Sequence, residues 1–274
     1  MKKWNRRTRV VVLSVILALI FLAIYAAGVM LPEELTAPSI RSTRLPPSLE
    51  HFFGTDALGR DLFFRTLKGL SVSMTVGLIA SVISAVIAVF VGIAAATGSR
   101  RMDSFINWVI DLMMGVPHMV LIMLISVAFG RGLKGLLIGV AATHWCSLAR
   151  LIRAEVMQLR SQPYVAVSRR LGKSSGWILT HHLLPHLVPQ FFVGLVLMFP
   201  HAILHEAAIS FLGYGLPPDQ PAIGIILAES MNYLSAGLWW PAVFPGVTLL
   251  MIVLLVDKLG DYLRMILDPY SAQE

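Results

Sequence analysis

Charged residues are scarce in this sequence. Only 14% of its 274 residues are Asp, Glu, Lys or Arg, whereas a soluble domain of ordinary composition carries about a quarter. Hydrophobic residues make up 57% of the chain, and several charge-free runs reach the roughly 20 residues that a helix needs to cross a bilayer. The scarcity of charge therefore excludes an ordinary soluble domain and predicts a polytopic membrane protein.

Cysteine is almost absent as well. Cys146 is the only one in the chain, which excludes an internal disulfide. Acidic residues are outnumbered by basic ones, giving a net charge of +7. In a membrane protein, an excess of Lys and Arg indicates which loops face the cytoplasm. The positive charge is therefore not taken as a sign of nucleic-acid binding, and no nucleic-acid partner is expected.

What the sequence does contain is six long apolar runs. The third is interrupted by Asp111 and by the Gly-Val-Pro at Gly115–Pro117. The first is longer than the apolar core of a cleaved signal peptide, so it is predicted to be a retained helix. The six predicted spans are Val10–Met30, Leu70–Thr97, Ser104–Gly130, Gly135–Met157, Val188–Phe211 and Leu238–Val256.

Lys and Arg orient these spans. The loops 98–103 and 158–187 and the tail after Lys258 are basic, whereas the segments 31–69 and 213–237 are charge-mixed or acidic. The positive-inside tendency therefore predicts both termini in the cytoplasm. The short turn with Arg131 and Lys134 goes against this trend.

One polar stretch stands out, Tyr164–Pro189 (YVAVSRRLGKSSGWILTHHLLPHLVP), called the basic segment below. It has no acidic residue, and its Gly172-Lys173-Ser174 looks like part of a phosphate-binding loop. Such a loop needs a first glycine where this chain has Val167, and a strand before it. No strand and no acidic motif for magnesium is predicted, so the chain is not expected to bind ATP or another cofactor.

The basic segment instead predicts two short helices that form a compact knob. The first helix stops at Gly172 in a left-handed conformation, Ser174 or Ser175 caps the second, and Pro185 ends it. Such a knob suits a groove on a cytoplasmic partner. Its predicted packing face consists of Trp177, Ile178, Leu183 and Leu184.

The same residues resemble the EAA loop of ABC importer permeases, the coupling helix that docks on the ATPase subunit. The match is good at Gly172, His182, Leu184 and Pro185, and partial where Ala166–Ser168 occupy the positions that name the motif. The resemblance assigns to this coupling loop Tyr164, Val165, Ala166, Val167, Ser168, Leu171, Gly172, His182, Leu184 and Pro185.

Three longer stretches are similar to the dipeptide, oligopeptide and nickel branch of these permeases. They are Phe53–Gly77, Glu206–Pro218 and Leu259–Pro269, while Ile223 and Asp257 depart from the branch's usual residues. The resemblance implies an all-α membrane protein with the type I ABC importer permease (MetI-like) fold. It divides the chain into an N-terminal helix and extracytoplasmic segment (1–69) and a transmembrane domain (70–274), with the coupling loop at about 158–187.

The family also implies the partners. This chain would be a non-catalytic subunit in a bacterial or archaeal inner membrane. A homologous permease would complete the pathway within the lipid bilayer, and two ABC ATPase subunits would bind ATP and magnesium. An extracytoplasmic binding protein would deliver the substrate. Asp56, Arg60 and Asp61 precede a predicted amphipathic helix bearing Leu62, Phe63 and Leu67, which would serve either as a membrane-surface anchor or as the docking site of that binding protein.

Ionisable residues inside the predicted spans are candidates for the translocation path, because such groups are costly in lipid and usually face the bundle interior. They are Asp111, His144, His201, His205 and Glu206. His201 and His205 are four residues apart on one helix face, so both imidazoles are predicted to contact one metal ion transiently.

These histidine motifs are more similar to the nickel members of the branch than to the peptide members. The first expectation is therefore transport of nickel or a metal chelate, with di- or oligopeptides as the alternative. A packing role for each histidine stays open. A membrane metalloprotease is excluded because Ile209 stands where His-Glu-x-x-His needs its second histidine. A stand-alone channel would need no coupling loop, and a secondary transporter predicts inverted repeats that are not visible.

Overall fold

The computed structural model of the chain describes residues 5–267 and is built from α-helices. The predictions that concern the first four residues and the tail from Asp268, including Pro269, lie outside the described residues. The helices are α1 Arg6–Met30, α2 Leu62–Thr97, α3 Arg100–Gly115, α4 His118–Ala128, α5 Leu133–Arg160, α6 Pro163–Arg170, α7 Ser175–Ile178, α8 Leu184–Phe211, α9 Ile223–Leu234 and α10 Trp240–Leu267.

Five of these helices, namely α1, α2, α5, α8 and α10, are long and apolar enough to cross a membrane. A sixth span results when α3 and α4 are taken together, although the two are bent by 99° at a short break. Val116 is extended there (φ −89°, ψ 138°) and Pro117 precedes α4, as expected because a residue before proline is driven out of the helical region. The predicted interruption at Gly115–Pro117 is confirmed.

The second span differs from its prediction, because α2 begins at Leu62 rather than at Leu70. Asp61 caps it, with one carboxylate oxygen accepting from the backbone N–H groups of Phe63 and Phe64 at 2.8 and 3.4 Å. Leu62 is buried. The predicted helix at Leu62, Phe63 and Leu67 is therefore present, but as the first turns of α2, and the predicted boundary between residues 69 and 70 falls within this continuous helix.

Helix α2 forms the centre of the bundle and packs along α5, α8 and α1. Small residues on α2 permit close approach: a Cβ on Gly77 would lie 3.3 Å from Ile203, and one on Gly92 would lie 2.8 Å from the carbonyl oxygen of Ala149. Small interfacial residues of this kind are typical of helices that associate within membranes. The peripheral α1 packs mainly along α2 and α10, and its Phe21 ring contacts Phe199 of α8 edge to face.

The second half of the basic segment also differs from its prediction. A π-helical turn at Leu179–Leu183 joins α7 to α8, and Pro185 lies in the first turn of α8 instead of ending a helix. A π-turn has hydrogen bonds between residues five apart instead of four. Proline has no backbone N–H, but the first turn of a helix tolerates this because its N–H groups have no acceptor within the helix. The chain thus passes from the knob directly into the long helix α8.

Candidate functional site

The first half of the basic segment folds as predicted. Gly172 follows α6 with φ +78°, and the N–H of Lys173 donates to the carbonyl of Ser168 at 3.1 Å, which is how a left-handed residue closes a helix end. The Ser174 hydroxyl accepts from the N–H of Trp177 at 3.2 Å and caps α7. Two short helices therefore meet at Gly172.

Buried side chains attach this knob to the bundle. Val165, Ile178 and Leu183 are almost completely buried in one cluster with the ends of α2, α5 and α8. Of the other predicted packing residues, Trp177 and Leu184 are half-buried. His182 lies between the two short helices, since its Nε2 lies 2.9 Å from the Ser168 hydroxyl and its ring contacts Tyr164.

The opposite side of α6 carries an exposed apolar stripe. Tyr164, Val167 and Leu171 are 39%, 54% and 73% exposed, and their spacing of three and four residues puts them on one helix face. Lys173 lies over the ring of Trp177, 4.7 Å from its centroid, so its ammonium group already has a partner within the chain. Neither observation favours a phosphate-binding loop.

A second site, called the histidine cavity below, lies between α3, α4, α5 and α8. It has a volume of about 640 Å³, and its lining includes four histidines together with Met113, Met114, Cys146 and Met198. No carboxylate belongs to this described lining. The four histidines are His118, His144, His201 and His205.

Three of these imidazoles converge. The rings of His118, His144 and His205 are in mutual edge-to-face contact, with centroids 4.7, 4.8 and 5.0 Å apart. One ring nitrogen from each lies within 4.8 Å of the other two. His201 lines the cavity but is not part of this triad, and transient contact of His201 and His205 with one metal ion stays a prediction.

Sequence reasoning did not predict His118. It directly follows Pro117 at the break between α3 and α4. The sequence signal that could have identified it is its position directly after the Gly-Val-Pro that interrupts the third apolar run. Helix periodicity alone can relate His201 to His205, but it cannot relate residues on α4, α5 and α8. The triad is a product of tertiary packing.

The remaining path candidates lie away from the cavity. Glu206 is fully buried and accepts from the Ser210 hydroxyl at 2.9 Å. Asp111 is 67% exposed and pairs with Arg150. Asp103, which precedes Asp111 on α3, pairs with Arg153, which follows Arg150 on α5, at 2.6 Å. These two ion pairs link α3 to α5. A role in translocation for Asp111 or Glu206 stays a prediction.

The predicted docking residues form part of an ionic network at the start of α2. Asp56 is buried and accepts from Arg60 at 2.6 Å and from Arg65 at 3.2 Å. Arg65 in turn donates two hydrogen bonds to Glu229 at 2.6 and 2.8 Å. Asp61 caps α2 and bonds His51. Arg65 and Glu229 were not predicted, and docking of a binding protein here stays a prediction.

Comparison with known proteins places these features in a family. Residues 88–269 match the family described as binding-protein-dependent transport system inner membrane component. A permease of Brucella abortus biovar 1, assigned provisionally by its name to a peptide transport system, is 39% identical over 95% of this chain and 87% of its own length. The dipeptide transport system permease protein of Bacillus subtilis is 32% identical over 93% of this chain and 79% of its own length.

A solved structure shares the fold. The methionine ABC transporter MetNI, in an inward-facing conformation, matches 75% of this chain and 97% of its own with a TM-score of 0.62 at 15% identity. The predicted all-helical MetI-like permease fold is confirmed. The chain belongs to the family of inner membrane components of binding-protein-dependent transport systems.

Proposed function

We propose that this chain forms half of the translocation pathway of an ABC importer for peptides. The observation that carries this proposal is the agreement among relatives over nearly the whole chain: those at 39% and 32% identity, and the oligopeptide transport system permease protein of Bacillus subtilis at 31%, are named for peptide transport. The histidine cavity of about 640 Å³ also falls within the roughly 300–1,000 Å³ of small-molecule sites.

The basic segment is the coupling loop of this proposal. A docking element needs a rigid base and an exposed apolar face, and α6 has both: Val165 is anchored in the bundle while Val167 and Leu171 face outward. Arg169 and Arg170 flank that face and are exposed. Burial of the apolar stripe in a groove on an ATPase supplies the attraction, and the arginines contribute at the rim, where charges mainly set orientation.

The assembly follows from the same proposal. A homologous permease completes the pathway, two ATPase subunits bind ATP and magnesium, and an extracytoplasmic binding protein delivers the peptide. This chain holds no catalytic residue for the hydrolysis of ATP. Closure of the ATPases moves the coupling loops, and since the π-turn joins α7 directly to α8, a displacement of the knob is passed to a helix that lines the histidine cavity.

Nickel or a metal chelate is the second candidate substrate. The observation that favours it is the convergence of three imidazoles on the cavity, since imidazole is a common ligand for nickel, copper and zinc. A neutral peptide path does not need such a cluster.

Uptake by cells that carry the complete operon distinguishes the two candidates. A radiolabelled dipeptide and radiolabelled nickel should each be offered to cells with the chain, without it, and with Leu171→Asp, which places a charge on the exposed stripe of α6. We expect dipeptide uptake that disappears in the last two strains. Uptake of nickel alone would replace the peptide proposal with the second candidate, and normal uptake with Leu171→Asp would contradict the coupling role of the stripe.

A further inference from the structure

Two of the three converging imidazoles, His144 and His205, have the hydrogen bonding of metal ligands. His144 Nδ1 lies 2.9 Å from the carbonyl oxygen of Val140, and His205 Nδ1 lies 2.6 Å from that of His201. In both cases a neutral imidazole donates through Nδ1–H, so its Nε2 keeps a free lone pair. Ligating histidines typically donate their other ring N–H to a backbone carbonyl or carboxylate, which fixes tautomer and orientation.

One of these two lone pairs, that of His144, is not used in a hydrogen bond. The Nε2 atom of His144 is buried and has no hydrogen-bond partner in the described structure. Buried polar atoms are nearly always satisfied, and the ring that carries this unpaired nitrogen contacts the imidazoles of His118 and His205, so the nitrogen is available to a ligand that the three rings share. Aromatic contact among the rings explains their edge-to-face geometry but leaves this atom unpaired.

We infer that His118, His144 and His205 form a binding site for a borderline divalent transition-metal ion, such as Ni²⁺, Co²⁺ or Zn²⁺. Imidazole nitrogen suits these ions, whereas Mg²⁺ and Ca²⁺ prefer oxygen ligands and find no carboxylate in the described lining. The inference rests on the proposed function only in that the cavity lies on the translocation path.

The geometry requires a small movement of the side chains. With metal–nitrogen distances of about 2.0–2.1 Å, tetrahedral ligands lie roughly 3.4 Å apart, whereas the present nitrogens lie within 4.8 Å of one another. The rings must therefore close by about 1–1.5 Å. His118 sits in the first turn of α4 beside the break at Pro117, and a movement of this break would adjust it most easily.

The lining also indicates how the ion arrives. No carboxylate borders the described cavity, so the ion's charge would be uncompensated by the protein, and an unpaired charge away from water is unfavourable. An ion that carries its own anionic chelator, such as a peptide with an ionised carboxylate, avoids that penalty. Neutral ligands also release their cargo readily, as a conducting path requires.

Cobalt provides the test, because tetrahedral Co²⁺ bound to nitrogen absorbs strongly in the visible region. The complete importer, purified in detergent, should be titrated with Co²⁺ alone and with Co²⁺ plus glycylhistidine. We expect saturable absorption that weakens by at least about tenfold in His118→Gln, His144→Gln and His205→Gln, since even supporting residues of metal sites cost that much. Tighter binding in the second arm would identify a chelate as the cargo.

His201→Gln is the matched control. It changes a histidine of the same cavity that lies outside the triad, and the backbone carbonyl that accepts from His205 remains. We expect unchanged Co²⁺ binding. Loss of binding in this variant together with retention in His118→Gln would overturn the assignment in favour of a His201/His205 pair.

The ligands of the bound metal can also be identified in the wild-type complex, without any substitution. X-ray absorption spectroscopy of the Ni²⁺-loaded importer should show three imidazole ligands, and a spectrum without imidazole scattering would overturn the site even if the variants failed to assemble. These measurements do not involve transport. Metal binding without peptide uptake would contradict the proposed function alone, and peptide uptake without metal binding would contradict this inference alone.

Discussion

At the scale of single residues, the chain uses conformation as much as side-chain chemistry. Gly172 illustrates this, because a Cβ built at this position would meet no atom within 4 Å, and yet its φ of +78° lies in the region that L residues avoid. The glycine is therefore needed for the direction of the backbone between α6 and α7, not for space. His182 and Ser168, which bridge the two helices at 2.9 Å, depend on that direction.

Gly172→Val should therefore weaken the coupling between ATP hydrolysis and transport. A β-branched residue held in the left-handed region costs about 1–2 kcal/mol, and the chain relieves this strain by changing the angle between α6 and α7. Transport and ATPase activity should be measured together in the reconstituted importer, where we expect less transport per ATP hydrolysed.

Gly176→Val is the matched control for this prediction, because a Cβ at Gly176 also meets nothing within 4 Å but its φ is not positive. It should leave coupling close to the wild type. Gly172→Asn should recover part of the loss, since asparagine tolerates the left-handed region better than valine. Equal effects of the two valine substitutions would mean that the backbone conformation at Gly172 is not what matters.

At the scale of elements, hydrophobic periodicity and helix-end residues correctly predicted the breaks and ends of helices. Contacts between residues that are distant in sequence could not be predicted in this way. The Gly-Val-Pro break, the left-handed stop at Gly172 and the cap at Ser174 are local features that depend on a few neighbouring residues, and each is confirmed. Helix α2 begins eight residues before the predicted start at Leu70, because Arg65 and Lys68 interrupt the uncharged run that the prediction followed. Arg65 is paired with Glu229, which lies 164 residues away in sequence.

The same limit applies to the histidine cavity. The sequence shows His201 and His205 at helical spacing, but only His205 belongs to the triad, and its meeting with His118 and His144 depends on how α4 and α5 pack against α8. No pattern within one helix reports such a meeting. The exposed stripe of α6 was likewise visible only once the structure showed which of its apolar residues are buried.

Arg65 is the residue on which the start of α2 most depends. It is nearly buried and pairs with both Asp56 and Glu229, so Arg65→Ala leaves the buried Asp56 carboxylate with one fewer cationic partner. Removing one member of a buried ion pair typically costs about 3–5 kcal/mol. Unfolding of the detergent-solubilised importer, followed by a thiol-reactive dye on the buried Cys146, should therefore occur at a lower temperature.

Lys68→Ala gives the comparison for this prediction. Lys68 lies on the same helix nearly one turn further on and is half-buried, and surface substitutions of this kind usually change stability by no more than about 0.5 kcal/mol. If Arg65→Ala and Lys68→Ala shifted the unfolding temperature equally, the ionic network would contribute little to the stability of this region.

At the scale of the whole molecule, the bundle separates three regions. The ionic network stands at the start of α2, the histidine cavity lies between α3, α4, α5 and α8, and the basic segment lies where α5 gives way to α8. Helix α2 begins at the ionic network as one 36-residue element, and its second half shares a hydrophobic cluster with Val165 and Ile178 of the basic segment.

This arrangement predicts that the segment 31–61 and the basic segment face opposite sides of the membrane. Ser39 and Ser161 are both exposed and lie on either side of α2, the bent α3–α4 pair and α5, which is an odd number of crossings. In a Cys146→Ala background, Ser39→Cys should react with a membrane-impermeant maleimide on cells whose outer barrier has been opened. Ser161→Cys should react only after the inner membrane is permeabilised, and Ser271→Cys, outside the described residues, should behave in the same way. Labelling of Ser39→Cys and Ser161→Cys from one side would mean that α3 and α4 do not cross as a single span.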